Sequence, residues 1–513
     1  MSTALNWLLD GIAKIPASDA RVSDLTLDSR QARAGSLFFA LPGLKEHGLK
    51  FAADAAARGA SVVLWEPGTL TGKTAEPAAP ALPPDVFTAA VPNLKTLVGR
   101  IADRFFNWPS SQLRITGITG TNGKTTCAYL LAQCLEQLGN AAAYMGTIGW
   151  GRPSELAEPT HTTPDAVTVH RTLAQLRSSG VREVAMEVSS HALDQSRVDG
   201  VRFHVAAFTN LTRDHLDYHG SMQAYGEAKA KLFRSPDLKH IVLNIGDEFG
   251  RALARDYAGS ASLIAVWVGA GDSGWLADRA LRAAQVHMEA RGISIDLDGS
   301  FGKLTVKTQL MGRFNAENSL VVIACLLSLG VSLSDAAKAL AECKPAPGRM
   351  EVVKTDANGK TAADKAGADK PTVVVDYAHT PDALSKALNA AREHCKGALW
   401  CVFGCGGDRD AGKRPVMGAI ADELADQIIV TDDNPRSEDP QAITQDIVRG
   451  IKSRAARVIH DRGEAIATAL REAQAVDLVL IAGKGHEDYQ IYGDTRRSFS
   501  DRSEALRYLG AAA

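Results

Sequence analysis

The pattern of apolar and polar positions in the first hundred residues predicts short, buried strands. Apolar runs stand at Ser36–Leu41 and Ala60–Trp65, and a loop rich in Pro and Ala follows from Glu66 to Pro84. Short β-rich runs bounded by such loops are typical of strands. We therefore expect a small α/β domain over residues 1–108.

The pattern of the next stretch predicts a strand, a loop and a helix. Leu113–Thr119 is β-rich and ends beside glycine, and the Ala- and Leu-rich segment Thr125–Leu138 has helical character. Further apolar runs at Glu183–Val188, His204–Phe208 and Ile241–Asn244 alternate with helical stretches. This alternation indicates a doubly wound parallel sheet covered on both faces, in a central domain over residues 109–345.

A third α/β domain, Rossmann-like, is expected over residues 346–513. It follows CKPAPGR at Cys343–Arg349, whose prolines and glycine break a helix and suit a hinge. The polar, low-complexity stretch Asp356–Lys370 predicts a mobile hairpin tip, to which we assign no function. The predicted strands of this domain are Thr372–Val375, Ala398–Phe403, Gln427–Val430 and Leu478–Ala482.

Composition and charge indicate that any ligand is bound at discrete sites. Of 513 residues, 45% are hydrophobic and 23% charged, as in ordinary globular proteins, and the length suits about three domains. A net charge of −2 gives no collective attraction to nucleic acid or anionic membranes, so a phosphate ligand must be bound locally. The chain shows no basic leader and no apolar run long enough to span a bilayer, and we expect a monomer without nucleic-acid or membrane partners.

The seven cysteines are odd in number and scattered, which suits the reducing cytoplasm. Cys401 and Cys405 resemble a metal-binding pair, but no second pair follows them. Both lie in or beside an apolar run, so we predict buried thiols.

A glycine-rich loop at 117–126, GITGTNGKTT, carries the strongest chemical signal. Glycines let backbone N–H groups approach phosphate oxygens, and a helix N-terminus adds a favourable dipole. Lys124 would supply positive charge, and the Thr125 hydroxyl could ligate a magnesium ion. The strict Walker pattern has glycine where Ile118 stands, so this is a variant loop. The alternative is an ordinary glycine turn, which the flanking strand and helix disfavour.

Two later segments could supply metal ligands. Glu187, in EVSSH at 187–191, would sit at the carboxyl end of a strand and face the phosphate loop. TNLTRDHLDYHG at 209–220 is too polar and His-rich for a core element, although a solvated loop is the alternative.

With these segments in place, the whole chain resembles the Mur ligase family. The resemblance implies three domains, which bind a UDP substrate, ATP and an incoming amino acid in that order. It also implies that ATP converts a glutamyl carboxylate into an acyl phosphate, which an amine then attacks. The matching segments are GTNGKTT at 120–126, EVSSH at 187–191, TNLTRDHLDYHG at 209–220, YGEAK at 225–229, FNAEN at 314–318, GRME at 348–351, DYAHTPD at 376–382, GCGGDRDAGKRP at 404–415 and DNPR at 433–436.

The resemblance implies roles for individual residues. Lys124, Glu187, His215 and Lys229 would be catalytic; Thr125, Glu187, His215 and Lys229 would surround Mg²⁺, with Lys229 carbamylated by carbon dioxide. The alternative is that Lys229 is one of several lysines on a solvated helix, with Lys231 and Lys239. The implied ATP contacts are Gly120, Thr121, Asn122, Gly123, Lys124, Thr125, Thr126, Asn315, Asn318, Arg349, Asp376 and His379, of which the last five could singly be cap or turn residues.

The resemblance also implies the two other substrates. UDP-N-acetylmuramoyl-L-alanyl-D-glutamate would contact the residues Leu27, Ser29, the segment after Gly43, Thr162, Thr163, Ser189, Gln195 and Arg197. The incoming meso-2,6-diaminopimelate would contact Arg409, Asp433, Asn434, Pro435, Arg436, Gly483 and Glu487. Its extra carboxylate needs a planar, bidentate cation, and its extra amine needs an acceptor, which Arg436 and Glu487 could supply. Asn-Pro is otherwise a turn signal.

Three other functions remain open from sequence. A lysine-adding ligase is disfavoured by Arg436. A folylpolyglutamate-synthase-like ligase shares the phosphate loop but lacks the amino-terminal module. In a nucleotide-gated binding protein, ATP would only close the domains.

Overall fold

A computed structural model describes residues 2–43, 46–67, 80–158, 161–259, 262–271, 277, 279–289, 292–353, 370–453 and 456–510. The two residues directly after Gly43, much of the predicted loop Glu66–Pro84 and nearly all of the predicted tip Asp356–Lys370 lie outside the described residues. The chain forms two compact units, one of Met1–Ala265, Ser273–Arg279 and Ala324–Gly330, the other of Val266–Asp272, Ala280–Ile323 and Val331–Ala513.

The strands are numbered in chain order. They are β1 Thr3–Ala4, β2 Arg21–Val22, β3 Asp24–Thr26, β4 Ser36–Ala40, β5 Ala60–Trp65, β6 Phe87–Ala90, β7 Arg114–Thr119, β8 Ala142–Gly146, β9 Gly149–Arg152, β10 Glu155–Ala157, β11 Glu183–Glu187, β12 Val205–Phe208, β13 His240–Asn244, β14 Ser262–Val268, β15 Arg279–Glu289, β16 Gly292–Gly299, β17 Leu304–Thr308, β18 Glu351–Val352, β19 Thr372–Asp376, β20 Leu399–Phe403, β21 Gln427–Val430, β22 Arg457–Val458, β23 Leu478–Ala482, β24 Tyr489–Tyr492 and β25 Thr495–Ser498.

The α-helices follow the same numbering. They are α1 Leu5–Leu9, α2 Ala52–Ala57, α3 Leu94–Phe105, α4 Lys124–Gln137, α5 Ala166–Ser178, α6 Ser190–Asp194, α7 Leu216–His219, α8 Met222–Ala230, α9 Glu248–Asp256, α10 Phe314–Ser328, α11 Leu333–Glu342, α12 Pro381–His394, α13 Lys413–Leu424, α14 Pro440–Val448, α15 Arg462–Glu472 and α16 Asp501–Leu509. Among the described residues, none of these helices has both the length and the apolar character that a bilayer crossing requires.

The first unit opens with a four-stranded sheet in the order β3-β4-β5-β6, all parallel. Because β4 is buried along its whole length, the sheet has a core on each face. One core contains Leu37 and Phe39 with the apolar side of α3, and the other contains Phe38 and Val63 with α2. The predicted apolar runs Ser36–Leu41 and Ala60–Trp65 thus form β4 and β5 of an α/β arrangement.

A second sheet in the first unit positions the phosphate loop. Its parallel strands run in the order β8-β11-β7-β12-β13, and the antiparallel hairpin β9-β10 extends the β8 edge. Strand β7 lies between β11 and β12, so the carboxyl ends of these three strands meet at one edge of the sheet. Loops at such an edge usually carry the ligand site of an α/β fold.

In the second unit, β15, β16 and β17 form an antiparallel meander that the apolar runs did not predict. The signal was present but weak: buried and exposed positions alternate along β17, as expected when one face is solvated. The unit continues with a sheet in the order β18-β19-β23-β20-β21-β22, parallel except for β18.

Helices cover both faces of this second-unit sheet, which confirms the Rossmann-like prediction. One core contains Val374, Phe403 and Leu480, and the opposite core contains Val402, Ile429 and Ile481. Cys401 and Cys405 are both buried in or beside β20, as predicted, and burial raises the pKa of each thiol to about 12.

A buried ion pair supports the strand ends of this sheet. Arg462 and Asp501 are fully buried, with 2.6 Å between Nε and Oδ1 and 2.8 Å between Nη2 and Oδ2. Arg462 also donates to the backbone carbonyl of Ala482 at 3.0 Å. The pair therefore joins α15 and α16 to the carboxyl end of β23.

We predict that Asp501→Ala destabilises the second unit by about 3–5 kcal/mol, because it leaves the Arg462 charge buried without its partner. Hydrogen–deuterium exchange should accelerate in β21 and β23. Glu464→Ala is the matched control, since it removes the solvent-exposed partner of Arg471 on the same helix α15. Equal exchange in both variants would contradict the role given to the buried pair.

Candidate active site

The phosphate loop connects β7 to α4, and its shape depends on glycine. Gly120 has φ of +150°, and a methyl group at its Cβ position would collide with Thr209 Oγ1. Gly123 has φ of +87° and precedes the first helical residue, Lys124. The N-terminus of a fourteen-residue helix thus faces the loop, and its N–H groups and dipole favour a bound anion.

The segment after β12 packs against the phosphate loop. Asn210 accepts from the backbone N–H of Thr121 through its carbonyl oxygen at 2.8 Å, and from that of Asn122 through Oδ1 at 2.9 Å. Thr209 is buried and donates to the Asn122 carbonyl at 2.6 Å. The start of the His-rich segment therefore supports the phosphate loop, and the alternative that this segment is a purely solvated loop is wrong.

Two lysines converge on one carbonyl oxygen of the loop. Lys124 Nζ donates to the Gly120 carbonyl at 2.9 Å and to the Thr121 carbonyl at 2.8 Å. Lys229 Nζ, from α8, donates to the same Gly120 carbonyl at 2.8 Å. Lys229 is only 1% exposed, so the alternative of a solvated lysine is wrong.

Burial lowers the pKa of Lys229 well below its ordinary value, and the nearby Lys124 charge lowers it further. Its Nζ lies 4.2 Å from the ring centroid of Tyr225, whose hydroxyl donates to Thr121 Oγ1 at 3.2 Å. The site therefore favours a neutral amine at Lys229.

Glu187 lies at the carboxyl end of β11 and is 1% exposed. Thr125 Oγ1 donates to its Oε2 at 3.0 Å, and Thr147 donates to Oε1 through its backbone N–H at 2.9 Å and to Oε2 through its hydroxyl at 3.2 Å. The hydroxyl of Tyr144 also donates to Oε1. These donors fix the carboxylate beside the first turn of α4. Sequence reasoning missed Tyr144 and Thr147, which come from the neighbouring strand β8 and the turn after it.

His215 lies at the start of α7 with a φ of +52°. Its ring centroid is 4.8 Å from that of His191 and 6.2 Å from that of Tyr225. Tyr225 thus contacts both His215 and Lys229. Within the described residues, no group of three or more His, Cys, Asp or Glu side chains is arranged to hold a metal ion.

The predicted contacts to the muramyl peptide gather beside Glu187. Thr163 Oγ1 donates to the Glu187 backbone carbonyl at 2.9 Å and accepts from the Ser189 N–H at 3.2 Å. Arg197 donates to the Thr163 carbonyl at 3.0 Å and holds Gln195 Oε1 through Nε and Nη2. The Thr162 and Thr147 hydroxyl oxygens lie 3.1 Å apart.

A cavity of about 270 Å³ adjoins this cluster and is lined by residues of α3, of the segments that follow β3 and β4, of the start of α5 with the segment before it, and of the segment after α6. Leu27, predicted for the uridine site, lines it together with Gln195 and Arg197. Ser29 is buried in a short 3₁₀ helix instead, where its carbonyl accepts from the Ala32 N–H at 3.2 Å.

In the second unit, the predicted amino-acid site lies at the carboxyl ends of β20, β21 and β23. Asn434 Nδ2 donates to Glu487 Oε2 at 3.0 Å, and Arg436 Nη1 donates to the Gly407 carbonyl at 2.7 Å. Gly483 has φ of +118°, and a methyl group there would lie 2.6 Å from Asp433 Oδ2. Asp433, Asn434, Gly483 and Glu487 are thus brought together.

Two predicted arginines flank one glycine in the same region. A Cβ at Gly406 would lie 2.9 Å from Arg436 Nη1 and 3.9 Å from Arg409 Cγ. Arg409 is exposed and Arg436 is half-buried, while Pro435, which directly precedes Arg436, is buried. Sequence reasoning missed Lys484, which is fully buried beside Glu487. Its position directly after β23, next to two predicted contacts, was the available signal.

The remaining predicted ATP contacts also lie in the second unit. Asn315 and Asn318 are buried in α10, where Asn315 donates to the Met311 carbonyl at 2.7 Å and Asn318 donates to Asn315 Oδ1 at 2.8 Å. The Arg349 guanidinium lies 4.5 Å from the ring centroid of Tyr377.

Asp376 accepts from the Met350 N–H at 2.7 Å, and burial raises the pKa of its carboxyl. His379 is exposed and hydrogen-bonds the Tyr377 carbonyl through Nδ1 at 2.8 Å. The ATP contacts of these five residues stay predictions.

The fold and the phosphate loop together define a P-loop α/β nucleotide-binding protein. Three family models match the chain: "Mur ligase family, catalytic domain" over residues 21–106, "Mur ligase middle domain" over 118–326 and "Mur ligase, glutamate ligase domain" over 348–485. The chain belongs to the Mur ligase family. It is accordingly an ATP-dependent ligase that forms an amide bond, with the three-domain architecture predicted from sequence.

Similar proteins align with nearly the full length of this chain. The chain is 46% identical to the UDP-N-acetylmuramoyl-L-alanyl-D-glutamate–2,6-diaminopimelate ligase of Ectopseudomonas mendocina, covering 100% of this chain and 99% of the relative. It is 47% identical to the same-named ligase of Chromobacterium violaceum, covering 94% and 93%. A solved structure titled with that enzyme name superposes with a TM-score of 0.69 at 33% identity, covering 100% of this chain and 99% of that one.

We predict that the first unit loses stability as pH falls from about 6.5 to about 4. Burial, followed by the charges of His215 and His219, lowers the pKa of His191 to about 4, so the unfolded chain binds more protons than the folded one across this window. Unfolding midpoints of the first unit measured between pH 4 and 7.5 check this. His191→Asn should flatten the dependence, whereas His287→Asn, at a half-exposed position on β15, should not. An equally steep dependence in His191→Asn would contradict the assignment.

Proposed function

We propose that this chain adds meso-2,6-diaminopimelate to the D-glutamate of UDP-N-acetylmuramoyl-L-alanyl-D-glutamate, in peptidoglycan precursor synthesis. One observation carries the proposal: the Thr125–Glu187 pair joins the phosphate loop to the cluster of Thr163, Ser189 and Arg197. A nucleotide on the loop would therefore have its terminal phosphate close to a carboxylate held by that cluster.

The chemistry needs this proximity. A carboxylate resists attack by an amine, so a carboxylate oxygen first attacks the γ-phosphorus of ATP and ADP leaves. The amine of the incoming residue then attacks the acyl phosphate carbon, loses a proton and expels inorganic phosphate. Binding both groups in line supplies most of the advantage of such a step. Lys124 and the N-terminus of α4 would stabilise the charge on the transferred group.

Magnesium fits the oxygen donors at this edge. The Thr125 hydroxyl and the Glu187 carboxylate lie 3.0 Å apart, and Mg²⁺ is usually held by one or two carboxylates, water and substrate phosphates rather than by a complete protein cage. We propose that Thr125 and Glu187 hold it, with His215 as a further ligand. When bound, the ion would neutralise charge on the phosphates.

We propose that Lys229 reacts with carbon dioxide. Its neutral amine nitrogen would attack the carbon of CO₂ and lose a proton, giving an anionic carbamate. The buried environment supports this, because it favours the neutral amine and places it beside Lys124. The carbamate would then offer oxygen atoms to the metal site in place of a repelling ammonium group.

We further propose that residues 1–108, 109–345 and 346–513 bind the UDP substrate, ATP and the amino acid, respectively. The cavity at Leu27, Gln195 and Arg197 supports the first assignment. Arg409, Arg436 and Glu487 suit an amino acid that has a second carboxylate and a second amine. The odd number and scattered positions of the seven cysteines support a cytoplasmic location.

ADP release tests the function. We expect release from ATP only when the UDP-dipeptide and meso-diaminopimelate are both present, with a UDP-tripeptide as product by mass spectrometry. Equal turnover with lysine would favour the lysine-adding alternative. ADP release with folate and glutamate would favour the folylpolyglutamate-synthase-like one. Binding of ATP without ADP release, whichever substrates are present, would favour a nucleotide-gated binding protein.

We predict that removing carbon dioxide from the buffer lowers kcat by about 10-fold or more, because the metal site then faces an unmodified amine. Adding bicarbonate should restore it. Lys229→Ala should have low activity at all bicarbonate concentrations. Lys239→Ala should respond to carbon dioxide removal and to bicarbonate as the wild-type enzyme does. Full activity of Lys229→Ala would contradict the carbamate.

A further inference from the structure

Lys484 is a buried cation that the reaction scheme above does not use. It directly follows β23 and stands between Gly483 and Gly485, whose φ angles are +118° and +55°. Its side chain is 0% exposed. A lysine is almost never fully buried unless it is paired, so its partners indicate what it does.

Those partners are the predicted contacts to the amino acid. Lys484 Nζ lies 3.2 Å from Asn434 Oδ1, 3.2 Å from Glu487 Oε2 and 3.8 Å from Asp433 Oδ1. The ring centroid of Tyr489 is 5.5 Å away. One ammonium group thus connects the loop after β21 to the loop after β23.

The same bonds fix the orientation of the Asn434 amide. Its Oδ1 accepts from Lys484 and from the backbone N–H of Ile491 at 3.0 Å, so its Nδ2 must point the other way. Nδ2 donates to Glu487 Oε2 at 3.0 Å. Glu487 Oε2 therefore has two donors, and its Oε1 stays directed toward the Tyr377 hydroxyl at 3.5 Å.

The charges around this position are nearly balanced. Asp433 and Glu487 are negative and Lys484 is positive, while Arg436 lies on the adjacent loop. Replacing Lys484 by a neutral side chain would leave one more uncompensated negative charge in a low-dielectric site. Such a site attracts a side chain that ends in an ammonium group alone. It would bind less well a side chain that ends in an ammonium and a carboxylate together.

We propose that Lys484 is a positioning residue that sets the selectivity of the site for a zwitterionic side-chain end over a simple cation. It does so by orienting Glu487 and Asn434 and by offsetting one of the two carboxylates. The proposal rests on the proposed function, because it concerns the amino acid that the site accepts.

The test compares kcat/KM for meso-diaminopimelate and for L-lysine in the full-length enzyme. In Lys484→Met, which keeps an unbranched side chain of nearly the same length and loses the charge, we expect kcat/KM for diaminopimelate to fall at least about 30-fold, mainly through KM. The diaminopimelate-to-lysine ratio should fall at least about 10-fold. KM values for ATP and the UDP-dipeptide should stay within about 2-fold, as should all parameters of Lys386→Met, an exposed lysine of the same unit.

A double-mutant cycle separates positioning from general damage. If Lys484 acts through Glu487, adding Lys484→Met to Glu487→Gln should cost little beyond the single Glu487→Gln change, whereas independent effects would multiply. Arg436→Ala should raise KM for diaminopimelate without this coupling. If Lys484→Met does not fold, Lys484→Gln, which keeps hydrogen-bond donors, is used in the same measurements.

The outcomes distinguish a failure of the proposed function from a failure of the role proposed for Lys484. A wild-type enzyme that does not ligate diaminopimelate overturns the proposed function. A wild-type enzyme that does so, with Lys484 variants that keep its selectivity ratio or show multiplicative losses with Glu487→Gln, overturns only the role of Lys484.

Discussion

The site in the first unit depends on the order of three parallel strands. Because β7 lies between β11 and β12, the phosphate loop, Glu187 and Thr209 emerge side by side at one edge of the sheet. Hydrogen bonds then lock this arrangement: Asn210 and Thr209 support the loop, and the Thr125 hydroxyl reaches Glu187. A different strand order would add at least one further strand spacing, about 4.8 Å, between some of these groups.

The second unit uses the same constraint for different chemistry. Strands β20, β21 and β23 are neighbours, and the loops that follow them carry Arg409, Asn434 and Glu487. Here the supporting groups are charged: Arg462 and Asp501 sit beneath the strand ends, and Lys484 sits between the loops. Removing Arg462 or Lys484 would take away the cation that pairs with a nearby carboxylate, Asp501 or Glu487. We therefore expect few other residues to be tolerated at either position.

Much of the fold could be predicted from the sequence because the strands that carry the sites are continuous apolar runs. Ala60–Trp65, Gln427–Val430 and Leu478–Ala482 match the observed strands at both ends, and Leu113–Thr119 is off by one residue. The antiparallel strands β15 to β17 and the hairpin β24-β25 were missed, because polar residues interrupt their apolar positions and leave no continuous run. Tyr144, Thr147 and Lys484 were missed for another reason. Their importance comes from contacts between elements far apart in sequence, which a local pattern does not record.

The shared carbonyl of Gly120 links two events at the phosphate loop. Its oxygen accepts from both Lys124 and Lys229, which brings the two amines to one place where two full positive charges would repel each other. An anion arriving on the loop would draw Lys124 toward itself and leave the oxygen to Lys229 alone. Conversely, a change in the charge of Lys229 would alter how readily Lys124 leaves. The protonation of one side chain and the occupancy of the loop are therefore thermodynamically linked through a single backbone atom.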